Sequence, residues 1–196
     1  MRLLAFALLA LILDFSIQTA PARAQAKGDL DVAAELKEHP GYSVLIFNID
    51  INMDGKRRCL PDRADMSNEQ KQWAVAKLNR EPLLDLESVF GHDRGAVLVL
   101  PPGTWTVSQF SCGPLKFDGA IVQIKVAPGE IVNAGHVMIN RVTVDPGKMF
   151  ERARKIETHI KIEELPKDSV ASLKTRAPET FAKAKRRSFA VNAALL

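Results

Sequence analysis

The sequence predicts a mainly β fold: an antiparallel β-sandwich with a short helical insertion and C-terminal helices. Residues 42–51 alternate, with Leu45, Phe47, Ile49 and Ile51 on one face and Asn48 and Asp50 on the other. That is the period of a half-buried strand. From residue 83 to residue 144, short apolar runs are separated by Gly and Pro, which favours a sandwich over alternating βαβ units.

Taken in order, residues 25–40 are a polar lead-in, and strand 42–51 closes at the turn signal Asn52-Met53-Asp54-Gly55. Ser67-Asn68-Glu69-Gln70 has the form of a capping box and predicts a short helix through Leu78. Glu81-Pro82 ends it, because the residue before proline resists helical geometry. Residues 83–90 read as a strand, and 96–100 as a strand buried on both faces, since the run is continuously apolar. Pro101-Pro102-Gly103 turns the chain into 104–110, with Trp105 and Val107 on one face. Residues 121–126 alternate again, Pro128-Gly129 turns, and 131–144 is long enough for one bent strand. Over 149–164 both periods fit, and β-branched residues tip the second half toward strand. Asp168 reads as the N-cap of a helix over 169–175, and Pro178 as the first residue of another running to about Ser188. Phe47, Ile49, Trp105, Val107, Ile124 and Ile139 are the expected core between two sheets. The sandwich domain spans 41–165, and 166–196 is a basic helical segment.

Residues 1–24 read as a cleaved signal peptide. Arg2 supplies the positive end, residues 3–13 an apolar run, and Thr19-Ala20-Pro21-Ala22-Arg23-Ala24 the small residues of a cleavage site. Cleavage is expected after Ala24, with Ala26 the second choice. The run is too short to cross about 30 Å of hydrocarbon, and no cysteine follows it to accept a lipid. The expected location is periplasmic or secreted, with no transmembrane span in the mature chain.

The formal charge of +4 becomes +3 without residues 1–24, because Arg2, Arg23 and Asp14 leave. Residues 25–147 carry 13 Lys/Arg against 16 Asp/Glu, and residues 148–187 carry 12 against 6. The cationic excess therefore sits in the C-terminal third. Lys183, Lys185, Arg186 and Arg187 could contact an anionic envelope component or an acidic protein. They equally suit a helix C-terminus, where cations meet the negative end of the dipole. Read as a solvated helix face, the four could be reversed with little effect on the fold. The export signal disfavours nucleic acid. Cys59 and Cys112, the two cysteines, are expected to pair, since exported proteins fold in an oxidising compartment.

Two segments carry a resemblance. Leu100-Pro101-Pro102-Gly103-Thr104-Trp105-Thr106-Val107 and Val126-Ala127-Pro128-Gly129-Glu130-Ile131-Val132-Asn133-Ala134-Gly135 resemble turn signatures of exported bacterial β-sandwich proteins. Such signatures occur in transthyretin-like and PEGA-like surface domains and in uncharacterised periplasmic proteins and lipoproteins. The resemblance covers about residues 96–144 and implies a fold but no catalytic residue. The sequence departs from it at Asn133-Ala134, where those proteins often carry an aromatic–aliphatic pair.

Candidate chemistry is sparse. Asp50, Asn52 and Asp54, with Gly55, fit the first half of a calcium loop, in which alternate oxygen ligands wrap a hard cation. The position for a bidentate glutamate is Pro61, and Lys56-Arg57-Arg58 crowds the site with positive charge. His39, His92, His136 and His159 lack metal-ligand spacing. Asp85 and Glu87 share one strand face without marking an acid–base pair. Nucleophile elbows, phosphate loops and dinucleotide fingerprints are missing, so neither a catalytic residue nor a cofactor is assigned. The expected function is that of a non-enzymatic exported envelope protein, a binding or structural module. The alternative is a small-ligand or carbohydrate-binding sandwich, which needs exposed aromatics. Trp73, Trp105 and Tyr42 are the supply, with Trp105 assigned to the core by its alternation. A hydrolase is a distant third.

Overall fold

The computed structural model describes residues 22–23, 27–53, 57–59, 61, 63–77, 95–112, 115–144 and 155–191. Their order is β1 (Ala22–Arg23), α1 (Asp29–Glu38), β2 (Ser43–Met53), β3 (Arg57–Cys59), β4 (Arg63–Asn68), β5 (Trp73–Lys77) and β6 (Ala96–Leu100). There follow β7 (Gly103–Cys112), β8 (Leu115–Val126), β9 (Ile131–Val144), β10 (Lys155–Glu163), α2 (Lys167–Arg176), α3 (Pro178–Lys183), β11 (Lys185–Arg186) and β12 (Ala190–Val191).

The strands form two sheets. One runs β1-β5-β4-β7-β8-β12 and the other β10-β9-β2-β3, with β6 also on β2 and β11 also on β9. Most pairs are antiparallel. The exception that matters lies at the centre of the second sheet, where β2 and β9 are parallel from Val44↔Ile131 to Met53↔Arg141. The antiparallel expectation fails there for a topological reason. A parallel pair requires the chain to leave and return by a crossover, and here it passes through the first sheet before β9 re-enters. Strand periodicity holds no record of that route.

The core is the predicted one. Phe47, Ile49, Trp105, Val107, Ile124 and Ile139 belong to one buried cluster between the sheets. In β6, Ala96, Leu98 and Leu100 join this cluster while Val97 and Val99 face a second one. That division is why the run has no polar position. β2 divides the same way: Leu45, Phe47, Ile49 and Ile51 point between the sheets, and Val44 and Ile46 point outward. The outward face is covered by helices, through Val32 of α1 and Leu173 of α2. β2 is thus buried on both faces rather than half-buried, and Asn48 and Asp50 are 0% and 3% exposed. A third layer of helices closes the sandwich on this side.

Three local expectations are corrected. The polar lead-in holds α1, whose first turn carries Asp29 and Asp31 at the helix end where negative charge is favoured. The predicted helix from Ser67 is instead the β4–β5 hairpin, in which Ser67 pairs with Trp73 and Arg63 with Lys77. The predicted helix from Pro178 stops at Lys183, and the chain straightens into β11 beside β9. Strand 83–90, Asp54, Asp85, Glu87, His92 and the signal segment 1–21 lie outside the described residues. Cys59 ends β3, opposite Ile51 in the second sheet, and Cys112 ends β7, opposite Leu115 in the first. No disulfide is present among the described contacts. No helix among the described residues is long and apolar enough to cross a membrane.

Two carboxylates tie the helical layer and the C-terminal segment down. Asp29 accepts the backbone N–H groups of Glu179 and Thr180, each at 2.9 Å, and the Thr180 hydroxyl at 2.6 Å. Burial raises its pKa, but the Thr180 hydroxyl, the two backbone donors and Lys183 together hold it below the ordinary aspartate value. Glu130 accepts the Ala127 N–H at 3.0 Å and both Arg187 guanidinium nitrogens at 2.6 and 2.7 Å. The Ala127 N–H lowers its pKa most, burial opposes this, and Arg187 and Lys185 add to the lowering. Both folded-state values lie below the unfolded ones. The stability they contribute is therefore present above about pH 4, the ordinary carboxylate range, and is lost as pH falls through the depressed folded values. Chemical denaturation between neutral and acid pH should show stability falling in that window. Asp29→Asn and Glu130→Gln should each flatten the decline.

Candidate functional site

The described residues bring the aromatic supply together at one cleft of about 420 Å³. It is lined by Glu35, Glu38 and His39 from the end of α1, Tyr42, Gln72 and Trp73 of the hairpin, and Trp105 beside Pro101. The chain has two tryptophans and one tyrosine, and all three line this cleft. Its size lies in the range of small-molecule sites, roughly 300–1,000 Å³.

Local chemistry fixes each wall. α1 ends where the His39 N–H donates to the Glu35 carbonyl at 2.9 Å and the Tyr42 N–H donates to the His39 carbonyl at 3.1 Å. This turn stacks the His39 and Tyr42 rings, with centroids 4.7 Å apart and planes 18° from parallel. The opposite wall depends on Asn68. Its Oδ1 accepts the Gln70 and Gln72 N–H groups at 3.0 and 2.9 Å, and its Nδ2 donates to Gln72 Oε1 at 2.7 Å. An asparagine satisfying the backbone of its own turn in this way competes with helix formation, so the capping-box pattern gave the wrong element. The turn places Trp73 at the start of β5, 60% exposed. Trp105 forms the floor: it is 1% exposed, and its Nε1 donates to the Pro101 carbonyl at 2.9 Å. The Pro-Pro-Gly turn therefore holds the indole in place.

Charge in the cleft is one-sided. Its lining includes two carboxylates and, among the described residues, no lysine or arginine. Lys27, itself buried, is paired with both carboxylate oxygens of Glu35, whereas Glu38 is exposed.

The sequence-predicted site residues lie elsewhere. Lys183 pairs with Glu179 at 3.6 Å on α3, and Lys185 is exposed on β11. Arg186 donates to the Glu163 carbonyl at 2.7 Å, and Arg187 donates to the Lys125 carbonyl at 2.8 Å besides clasping Glu130. The four do not form one solvated helix face, and reversing the two arginines would strip anchors from the fold. Asp50 and Asn52 sit within β2, whose pairing with β9 runs on to Met53, so the backbone there is extended rather than wrapped as a loop. Asp50 Oδ2 lies 3.5 Å from Nε2 of the equally buried His136. No group of three His, Cys, Asp or Glu residues suited to a metal occurs among the described residues. Nearby, Asn48 Nδ2 donates to the Ser169 hydroxyl at 3.2 Å, and Ser169 is fully buried.

No family model matches this chain, and neither the curated proteins nor the solved structures compared with it give a significant match. The cleft is not visible in the sequence because two of its walls carry the patterns of other elements, one of a polar lead-in and one of a capped helix. The alternation of Trp73, Val75 and Lys77 with Ala74 and Ala76 was the signal that could have placed Trp73 on a strand.

Proposed function

We propose that this protein is a non-enzymatic binding module of the bacterial envelope that holds a small ligand in the aromatic cleft. The observation that supports it is the gathering of every tryptophan and tyrosine of the chain at one cavity. A largely exposed Trp73 leaves apolar surface in water that a ligand would cover. No nucleophile, base or cofactor cradle is needed for this role. The small-ligand sandwich is therefore preferred to a purely structural one.

Tryptophan emission provides the test. A screen of mono- and disaccharides, amino acids and alkylamines should contain ligands that shift the emission and raise the melting temperature. Trp73→Ala should weaken both responses while changing stability by no more than about 0.5 kcal/mol, as for a surface position. If no member of the screen moves either signal, the cleft is not a ligand site.

The signal-like pattern of residues 1–24 supports placing the module outside the cytoplasm, as do the resemblance to exported sandwich domains and the two cysteines at ends of strands in different sheets. Cleavage after Ala24 or Ala26 would remove β1 and leave β5 as the sheet edge. A Cys59–Cys112 bond would then staple the two sheets, contributing about 2–4 kcal/mol. The intact mass of protein from the envelope fraction reads both features. Retained Met1 would refute the export reading, and two alkylatable thiols in unreduced protein would refute the bond. The exposed Lys185 remains available to an anionic envelope component, Lys183 is held in an exposed pair with Glu179, and Arg186 and Arg187 are committed within the chain.

A further inference from the structure

We propose that the ligand class of this cleft is a small organic cation, an alkylated ammonium group. This rests on reading the cleft as a ligand site. The lining decides between classes. An anion would need a cationic partner, and no lysine or arginine lines the cleft among the described residues. A neutral sugar could stack on Trp73 and bond to Glu38, His39, Tyr42 or Gln72, but it would leave the carboxylate charge of the cleft unbalanced. An alkylated ammonium group needs little hydrogen bonding. It is attracted to the negative faces of aromatic rings within about 6 Å of their centroids, and tryptophan is the strongest of these. The cleft presents the exposed ring of Trp73 and the stacked Tyr42–His39 pair, with the buried Trp105 beneath them.

Its carboxylates complete the match. Lys27 holds Glu35 and neutralises it, which leaves the exposed Glu38 as the carboxylate available to balance the ligand charge. A cation seated between Trp73 and Glu38 would exchange water for a π face on one side and a negative charge on the other. The aliphatic wall of Val99, Leu100 and Pro101 would accommodate the methyl groups.

The experiment uses the full chain with choline and its uncharged isostere, in which a carbon replaces the quaternary nitrogen. Binding is followed by tryptophan emission and by calorimetry, with a neutral monosaccharide as third probe. Choline should bind, and the isostere should bind at least tenfold more weakly. Trp73→Ala should weaken choline roughly two- to thirtyfold, the span of exposed to desolvated cation–π contacts. Glu38→Gln should weaken it up to about fivefold, as expected for an exposed charge pair, and raised salt should weaken it further. Trp73 and Glu38 are exposed, so both variants should keep the parent melting temperature. If the isostere or the monosaccharide binds as well as choline, the cleft is a ligand site but its class is not cationic. If none of the three binds, the cation assignment falls, and the wider screen then decides the ligand-site reading.

Discussion

Trp105→Ala is expected to lower the free energy of unfolding by about 3–5 kcal/mol, the usual cost of emptying a large buried aromatic site. The ring is 1% exposed and belongs to the cluster between the two sheets. Two costs add. The surrounding side chains are held by strands already paired on both sides, since β7 lies between β4 and β8, so they cannot collapse into the void. The Pro101 carbonyl also loses the Nε1 donor at 2.9 Å, leaving a partly buried acceptor unsatisfied. Trp105→Phe should recover most of the packing and none of the hydrogen bond, with a residual cost of about 1–3 kcal/mol. Equilibrium unfolding in urea, with the slope checked for constancy, measures both. If Trp105→Ala unfolds like the parent, the indole is not part of the core. The contrast with the neighbouring Trp73 is the point. Both rings line one cleft, yet one variant should unfold the protein readily while the other should leave stability almost untouched.

The core was legible because burial leaves a periodic trace. Alternation marked the inward face of β2, and the absence of any polar residue in β6 marked a strand covered on both sides. The sequence was less informative wherever a few atoms decide the structure. α1 buries little of itself, chiefly Val32 with Leu36 partly covered, so its apolar stripe is too thin to stand out from a polar lead-in. The 63–77 hairpin was hidden by Asn68. Its side chain can cap a helix or close a turn, and only the tertiary setting selects between them. The cleft was the least legible feature. Its walls come from α1, the β4–β5 hairpin and the β6–β7 turn, and nothing in their separate patterns says that they meet.

The same limit applies to the C-terminal arginines, and it yields the second large effect. Gly135→Ala is expected to destabilise the protein by about 2–6 kcal/mol, combining a strained backbone with overpacking. β9 bulges here: opposite Ile46 and Phe47 of β2 stand Asn133 and Gly135, with Ala134 inserted between. Gly135 takes φ +83, a left-handed conformation that side chains other than glycine's disfavour. An added Cβ would collide with the Arg186 guanidinium and with the Glu163 carbonyl. The departure from the exported-sandwich pattern at Asn133-Ala134 therefore coincides with a notch that receives an arginine. There Arg186 donates to the Asn133 carbonyl at 3.4 Å and to the Glu163 carbonyl at 2.7 Å. The Arg187 N–H adds a bond to the same Asn133 carbonyl at 3.1 Å. The double variant Gly135→Ala with Arg186→Ala separates the two causes. Removing the guanidinium takes away one collision but neither the positive φ nor the Glu163 carbonyl. The pair should therefore cost less than the sum of the single changes, with a coupling of about 0.5–3 kcal/mol. Strict additivity would mean that Arg186 does not occupy the notch in solution. The basic run would then be free for an anionic partner, and the C-terminal segment would need another explanation for its place along β9.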